Sequence, residues 1–393
     1  MTPEPPLSVF LVAGEESGDQ LGAGLMRAIH ERLGDAGVAF AGVGGERMAA
    51  VGLTSLFPLS DIAVMGVSAV VARLPTIVRR VYATVDAVVA AKPDVLVIID
   101  SPDFTHNVAK RVRARMPGLP IVDYVSPTVW AWRPGRARAM RAYVDHLLAL
   151  LPFEPEAHRR LGGPACSYVG HPLVERLAEL RPRPGERANL GQAPTLLVLP
   201  GSRRTEISRL MEPFGAALGL IAQARPDVRI ILPAVPHLKE DIAARAASWP
   251  VRPDIVTGEA SKWAAFRQAH AAVAASGTVT LELALAGVPM VVAYKVSFLE
   301  ERLRFLVKVP SIVLPNLILG ANAIPEFIQE DCTADALAEA LLPLLGDTPP
   351  RRTQVEALAR LDALMSTGSE HPSERGARIV LETAGAPRSS RQR

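Results

Sequence analysis

Short aliphatic runs and stretches of helical period alternate along almost the whole chain. The runs over residues 7–13, 38–43, 94–99, 121–125, 146–151 and 167–169 are mostly continuous blocks of apolar residues, as in strands covered on both faces. A second series follows over residues 195–199, 228–232, 254–257, 271–274 and 290–293. Helices are predicted over residues 20–33 and 206–223, and near 333–345, 353–365 and 374–383. Strand and helix in alternation predict parallel sheets with helices on both sides: an α/β protein of two doubly wound, Rossmann-like domains. Residues 181–194, rich in proline, glycine and charge, read as the linker between domains 1–180 and 195–370. Residues 371–393 form a C-terminal helix and a basic tail, and the C-terminal helices are expected to pack back on the N-terminal domain. Ligands of such sheets sit at the carboxyl ends of the strands, so the loops there should line the site.

Composition narrows the partners. A chain of 393 residues is too long for one ordinary core. Its net charge of +3 favours an anionic ligand or a lipid surface, and no Lys/Arg tract interleaved with aromatics argues for nucleic acid. Cys166 and Cys332 lie far apart in no metal-type spacing, as reduced thiols of a cytosolic protein would. The run at 7–13 is soon followed by Glu15, Glu16 and Asp19, unlike a signal peptide. The uncharged stretch 309–325 is broken by Pro310, Pro315 and Gly320 and cannot span a bilayer as a helix.

The candidate chemistry lies at strand ends. The run at 195–199 ends in Pro200-Gly201-Ser202-Arg203-Arg204, where Ser202 and Thr205 offer hydroxyl caps to the next helix. A strand, a glycine turn and a helix start direct unpaired N–H groups and the helix dipole at one spot, and an arginine there forks onto phosphate oxygens. Ser276-Gly277-Thr278 repeats the arrangement, and Glu282, one turn on, either accepts both hydroxyls of a ribose or complements the helix dipole. Asp100 ends the aliphatic run at 94–99 and is the candidate general base, with Asp103 as a helix cap. Gly42-Val-Gly44 lacks a third glycine because Arg47 holds its place, and no Gly-x4-Gly-Lys motif occurs, so a dehydrogenase or P-loop kinase is disfavoured. Residues 62–72 carry no charge, and Arg73, Arg79 and Arg80 edge the next apolar stretch. Val64, Met65, Val67, Val70, Val71 and Arg73 are expected to meet a membrane or acyl chains.

Several long motifs carry a family resemblance. They are Leu11-Val-Ala-Gly-Glu-Glu-Ser-Gly-Asp19, Ala63-Val-Met-Gly66, Ile99-Asp-Ser-Pro-Asp-Phe104, Tyr124-Val-Ser-Pro-Thr-Val-Trp-Ala-Trp-Arg133 and Leu151-Pro-Phe-Glu154. Val169-Gly-His171, Leu199-Pro-Gly-Ser-Arg203, Ala275-Ser-Gly-Thr278 and Leu314-Pro-Asn-Leu317 extend the series. In this order, from about residue 7 to 383, the chain resembles the lipid-A-disaccharide synthases. Glu16 stands where threonine is common, and Ile318-Leu319 replace a Leu-Ala pair.

The resemblance implies a GT-B glycosyltransferase that works without metal or other cofactor. It would join UDP-2,3-diacylglucosamine to 2,3-diacylglucosamine 1-phosphate through an inverted β-1′,6 bond and release UDP. It implies Asp100 as the base, and Gly201, Ser202, Arg203, Ser276, Gly277, Thr278, Glu282 and Asn316 on the donor side. Apart from the resemblance, the helix start at Ser17, Gly18 and Asp19 offers backbone N–H groups to the acceptor phosphate. Its setting is cytoplasmic, peripheral on the inner membrane of a Gram-negative cell, with a homodimer left open and no nucleic-acid partner. Two other classes are weighed against it: a UDP-GlcNAc epimerase of the same fold, and a non-enzymatic lipid-binding protein that docks on membranes.

Overall fold

The computed structural model describes residues 5–63, 67–296 and 309–385, and of residues 67–72 the helical backbone alone. The chain forms two compact units, Met1–Pro172 with Thr367–Arg393, and Leu173–Ser366. The first unit runs β1 (Leu7–Ala13), α1 (Glu16–Leu33), β2 (Val38–Val43), α2 (Glu46–Ala49), α3 (Val67–Ala91), β3 (Val95–Ile99), α4 (Pro102–Arg115), β4 (Ile121–Tyr124), α5 (Gly135–Met140), β5 (His146–Ala149), α6 (Glu154–Leu161) and β6 (Ala165–Tyr168). Its strands are all parallel, in the order β2-β1-β3-β4-β5-β6.

The unbroken apolar runs have a direct cause. Val9, Leu11, Val95 and Val97 point into one core with Leu25, Met26 and Ile29 of α1. Phe10, Val12, Leu96 and Ile98 point into the other with Val81, Val85 and Val88 of α3 and Val108 and Val112 of α4. Both parities of each strand are therefore buried, which removes the alternation of a half-wet strand.

The second unit holds α7 (Leu177–Leu180), β7 (Thr195–Leu199), α8 (Arg204–Ala224), β8 (Arg229–Ala234), α9 (Lys239–Ala246), β9 (Asp254–Thr257), α10 (Glu259–Gln268), β10 (Ala271–Ala275), α11 (Thr278–Leu285), β11 (Met290–Tyr294), α12 (Leu314–Leu319), β12 (Glu326–Ile328), α13 (Ala334–Leu341), α14 (Pro349–Ala359) and α15 (Leu361–Met365). The order is β12-β11-β10-β7-β8-β9, again parallel. β12 was not expected: three residues behind Pro325 give no period to read. The chain then returns as α16 (Pro372–Gly385), whose Ala377, Ile379 and Val380 enter the first unit's core beside α1, as expected. Residues 386–393, which include most of the basic tail, lie outside the described residues.

The expected linker, 181–194, belongs instead to the second unit. Arg187 donates to the carbonyls of Phe266, Ala286 and Gly287 at 3.1–3.3 Å, where α10 and α11 run out of intrahelical donors. Arg181 donates to the Leu285 carbonyl at 3.0 Å, and Arg267 bonds Glu186 at 2.6 Å. The crossings between units fall at 172/173 and 366/367.

One buried polar group in the first unit titrates near neutrality. Glu154 accepts from Leu151 N at 3.0 Å and from Trp130 Nε1 at 3.2 Å. Burial pushes its carboxyl from the ordinary 4.5 up to about 7, against the pull of those hydrogen bonds. A carboxyl whose folded pKa is raised contributes fully below its unfolded pKa and loses that contribution as pH rises through the folded one. Glu154→Gln should therefore gain on wild type by up to about 3 kcal/mol between pH 5 and 8. Denaturant unfolding of both proteins across that range tests it. A constant difference would mean that Glu154 titrates as an ordinary carboxyl.

Candidate functional site

In the second unit the chain leaves β7 toward β8 and β9, then returns to lay β10 on the other side of β7. The reversal opens a crevice at the strand ends between β7 and β10, the usual ligand position of a doubly wound sheet. A cavity of about 470 Å³ lies there. Gly201, Ser202 and Arg203 enter it from the turn after β7, and Ser276, Gly277, Thr278 and Glu282 from the turn and helix after β10. All seven of these sequence-predicted donor residues thus line one space. Val235, Pro236 and Gly258, from the ends of β8 and β9, complete the wall.

The N–H groups of the first turn are already occupied. Glu206, buried one turn into α8, accepts from Ser202 N at 3.0 Å and Arg203 N at 3.2 Å. It also takes a 3.1 Å bond from Arg203 Nη1. The expected hydroxyl caps from Ser202 and Thr205 are absent, because the N-cap position falls on Arg203, between them. Gly201 sits at φ +113°, and a Cβ there would stand 2.4 Å from Glu206 Oε2, so the turn requires glycine. Arg203 stays largely exposed (66 %), with the rest of its fork toward solvent.

The second turn differs. Ser276 does not cap α11: its hydroxyl donates to the Ile312 carbonyl at 2.7 Å, and Gly277 is the N-cap with no side-chain acceptor. Glu282 is bound by Lys262, whose Nζ lies 2.9 and 2.8 Å from its two oxygens. Asn316 does not line the cavity. Its amide bonds Ile324 N, Ile324 O and Glu326, each at 2.9 Å. Glu326 accepts from Ile312 N at 2.9 Å, and Ile312 holds Ser276. Asn316 is thus a buried brace for the Ser276 turn rather than a group open to a ligand.

In the first unit the reversal lies between β1 and β3, where the Gly14–Gly18 turn meets Asp100. Ser17 donates to Asp100 Oδ2 at 2.8 Å, and Ser101 donates to Glu15 at 3.1 Å. A Cβ on Gly14 would fall 2.2 Å from that of Ser101, so the two turns touch through a glycine. Asp100 and Ser101 are both left-handed, with φ 55° and 47°. Such residues cost about 1–2 kcal/mol each and persist only where surroundings impose them. Ser101 N→Asp100 Oδ1 at 2.7 Å and Asp100 N→Tyr124 O at 3.0 Å do so here, and set the carboxylate beyond the strand end.

Asp19 has another task. Buried, it accepts from Gly45 N, Arg47 N and Met48 N at 2.7, 2.9 and 3.1 Å and so seats the start of α2. Its carboxylate is taken up by these three donors. Asp103 caps nothing: α4 begins at Pro102, and the Asp103 carboxylate is 96 % exposed, bonded to Arg136 at 3.0 Å. Behind Asp100, Asp123 is buried 3.0 Å from His106, though off the hydrogen-bond axis. Burial raises its carboxyl; His106 opposes this, and the Asp100 charge adds to it. The sequence reading missed Glu206, Lys262, His106 and Asp123. Only Glu206 left a signal, the spacing Arg203-x-x-Glu206 of a capping carboxylate.

Of the expected membrane residues, Val64 and Met65 lie outside the described residues, as do the side chains of Val67, Val70 and Val71. Arg73 donates to the Ser60 carbonyl at 2.8 Å, and Arg80 is held by Asp61 at 2.6 Å over the Phe57 ring. Leu74, Val78 and Tyr82 recur every fourth residue along α3 and are 52, 45 and 52 % exposed. No helix among the described residues is long and apolar enough to cross a membrane.

Two doubly wound units with loops gathered at their reversals form the α/β architecture shared by GT-B glycosyltransferases and their epimerase neighbours. The fold is similar to that of Acinetobacter baumannii MurG (TM-score 0.58, 14 % identity, 96 % of this chain and 100 % of that one). It is similar too to the *Neisseria meningitidis* UDP-GlcNAc 2-epimerase bound to UDP-GlcNAc (TM-score 0.61, 11 % identity, 96 % and 99 %). These likenesses are of fold alone. A family model described as lipid-A-disaccharide synthetase matches residues 9–379, and the lipid-A-disaccharide synthase of Rhodopseudomonas palustris (strain HaA2) is 60 % identical over 95 % of each chain. The chain belongs to the lipid-A-disaccharide synthase family and is a disaccharide-forming glycosyltransferase. The epimerase and lipid-carrier readings are set aside.

Proposed function

We propose that the second unit's cavity holds UDP-2,3-diacylglucosamine and that the strand ends of the first unit bind 2,3-diacylglucosamine 1-phosphate. The observation that carries this reading is the meeting, in one cavity, of Arg203, the α11 start at Gly277-Thr278 and the Glu282 carboxylate. An arginine fork and a helix N-terminus suit a diphosphate, and a carboxylate one turn away suits the ribose hydroxyls. Glu206 keeps the Ser202 and Arg203 N–H groups engaged, so the diphosphate is assigned to the Arg203 guanidinium and the Gly277-Thr278 turn.

In this scheme Asp100 takes the proton of the acceptor 6-hydroxyl as that oxygen attacks the anomeric carbon. The bond from that carbon to UDP breaks on the opposite face, and Arg203 and the α11 start take up the growing charge on the leaving group. Ser17 orients Asp100 through its 2.8 Å bond. The first-turn N–H groups of α1 at Ser17 and Gly18 hold the acceptor phosphate. The exposed stripe of Leu74, Val78 and Tyr82 rests on the cytoplasmic face of the inner membrane, with Arg79 at the headgroups.

Asp100→Asn keeps a residue that tolerates the left-handed backbone and removes the proton acceptor. Disaccharide formation at saturating substrates should fall about 10²–10⁴-fold with UDP affinity unchanged, while Asp103→Asn stays near wild type. Normal turnover of Asp100→Asn would end its role as base. Arg203→Ala should weaken UDP about ten- to a hundredfold in calorimetric titration, and equal affinity would remove it from the donor site. Leu74→Ser with Val78→Ser should lower sedimentation with anionic vesicles about tenfold. Unaltered sedimentation would exclude this stripe as the docking surface.

A further inference from the structure

Lys262 lines the same cavity. It stands one turn into α10, its backbone N–H bonded to the Gly258 carbonyl at 3.0 Å, and its ammonium reaches across to α11. There it binds both oxygens of Glu282 at 2.9 and 2.8 Å. Both residues face the cavity, and the Glu282 side chain is 13 % exposed. A carboxylate drawn so far out of water needs a charged partner. One cation spanning both oxygens also fixes the plane of the carboxylate, which a single-point contact would leave free to rotate.

The accounting of lone pairs gives that fixed plane a use. An ionised carboxylate offers about four acceptor sites. Lys262 takes one on each oxygen and leaves one on each for further donors. Those two remaining sites point away from each other, so a ribose hydroxyl meets one oxygen and not both. The 2′-hydroxyl is such a donor.

We propose that Lys262 is a positioning residue that sets the preference of this cavity for a ribonucleotide over a deoxyribonucleotide, by holding Glu282 so that one of its oxygens meets the ribose 2′-hydroxyl. The proposal rests on the reading of Glu282 as the ribose acceptor. It differs from a purely structural tie between α10 and α11, because that tie would affect every nucleotide alike. The lost charge of Lys262 would likewise weaken UDP and 2′-deoxy-UDP together. The ratio of their affinities isolates the orientation of Glu282.

The experiment is calorimetric titration of the full-length protein with UDP and with 2′-deoxy-UDP. Wild type should prefer UDP about tenfold or more, the worth of a hydrogen bond to a charged group. Lys262→Met should reduce the preference to within about threefold, and Lys262→Arg, whose fork also spans two oxygens, should restore it. In a Glu282→Gln background Lys262→Met should leave the ratio unchanged. Lys262→Gln provides the same comparison if the methionine variant does not fold. A wild-type preference retained in Lys262→Met or Lys262→Gln would overturn the proposal while leaving the donor site intact. Wild type that binds UDP without discriminating would overturn the Glu282 assignment and this proposal with it. Wild type that does not bind UDP would overturn the donor-site reading itself.

Discussion

Backbone N–H groups at the starts of strands and helices have no partner within their own element, and in this protein carboxylates supply one. Asp19 receives three such donors at the start of α2, and Glu206 receives two ahead of α8. Asp94 accepts from Ser8 N and Asp145 from Ile121 N, each at 2.8 Å, while Glu326 accepts from Ile312 N at 2.9 Å. A buried N–H left alone costs about 1–3 kcal/mol, comparable to a fair part of a protein's whole stability. Each carboxylate joins segments that the sheet alone would not join. Asp19 ties the helix after β1 to the turn after β2, and Glu326 ties β12 to the segment before α12.

The same device bears on where the candidate site residues lie. Where the order of a parallel sheet reverses, two consecutive loops diverge and leave side chains uncovered by a crossing helix. In the first unit Ser17 and Asp100 occupy that place, and in the second Arg203 and Thr278 do. The carboxylates with fixed partners surround these positions without filling them. Asp100 differs from Asp19 in this respect: it keeps a hydroxyl partner and one local N–H, on a backbone that its neighbours hold in a left-handed turn.

Much of this was legible in the sequence where the cause was local. Strands buried on both faces show as unbroken apolar runs, and strand-to-helix turns show as Pro-Gly-Ser or Ser-Gly-Thr. Contacts between distant residues were not legible. Asp19 reads as part of a helix start facing a ligand until the turn at 45–48 comes to rest on it. Residues 181–194 have the composition of a linker, yet Arg187 finds helix-end carbonyls some 80 to 100 residues further on. Lys262 stands on a helix with almost no amphipathic signature, and only the crossing of α10 over the sheet brings it to Glu282. Asn316 is the opposite case: it stands in a legible motif, while its bonds to Ile324 and Glu326 are contacts no motif shows.

For the chemist seeking an inhibitor, the occupied turn at Gly201–Arg203 changes what a good ligand looks like. Five ionic side chains line this cavity: Arg203 and Lys262 against Glu206, Glu259 and Glu282. A compound that mimics phosphate at the Ser202 and Arg203 amides must first evict Glu206, whereas one that leaves that carboxylate in place meets a finished surface. The cavity is therefore an ampholyte, and a scaffold carrying charge of both signs matches it better than one whose only charge is aimed at the Ser202 and Arg203 amides.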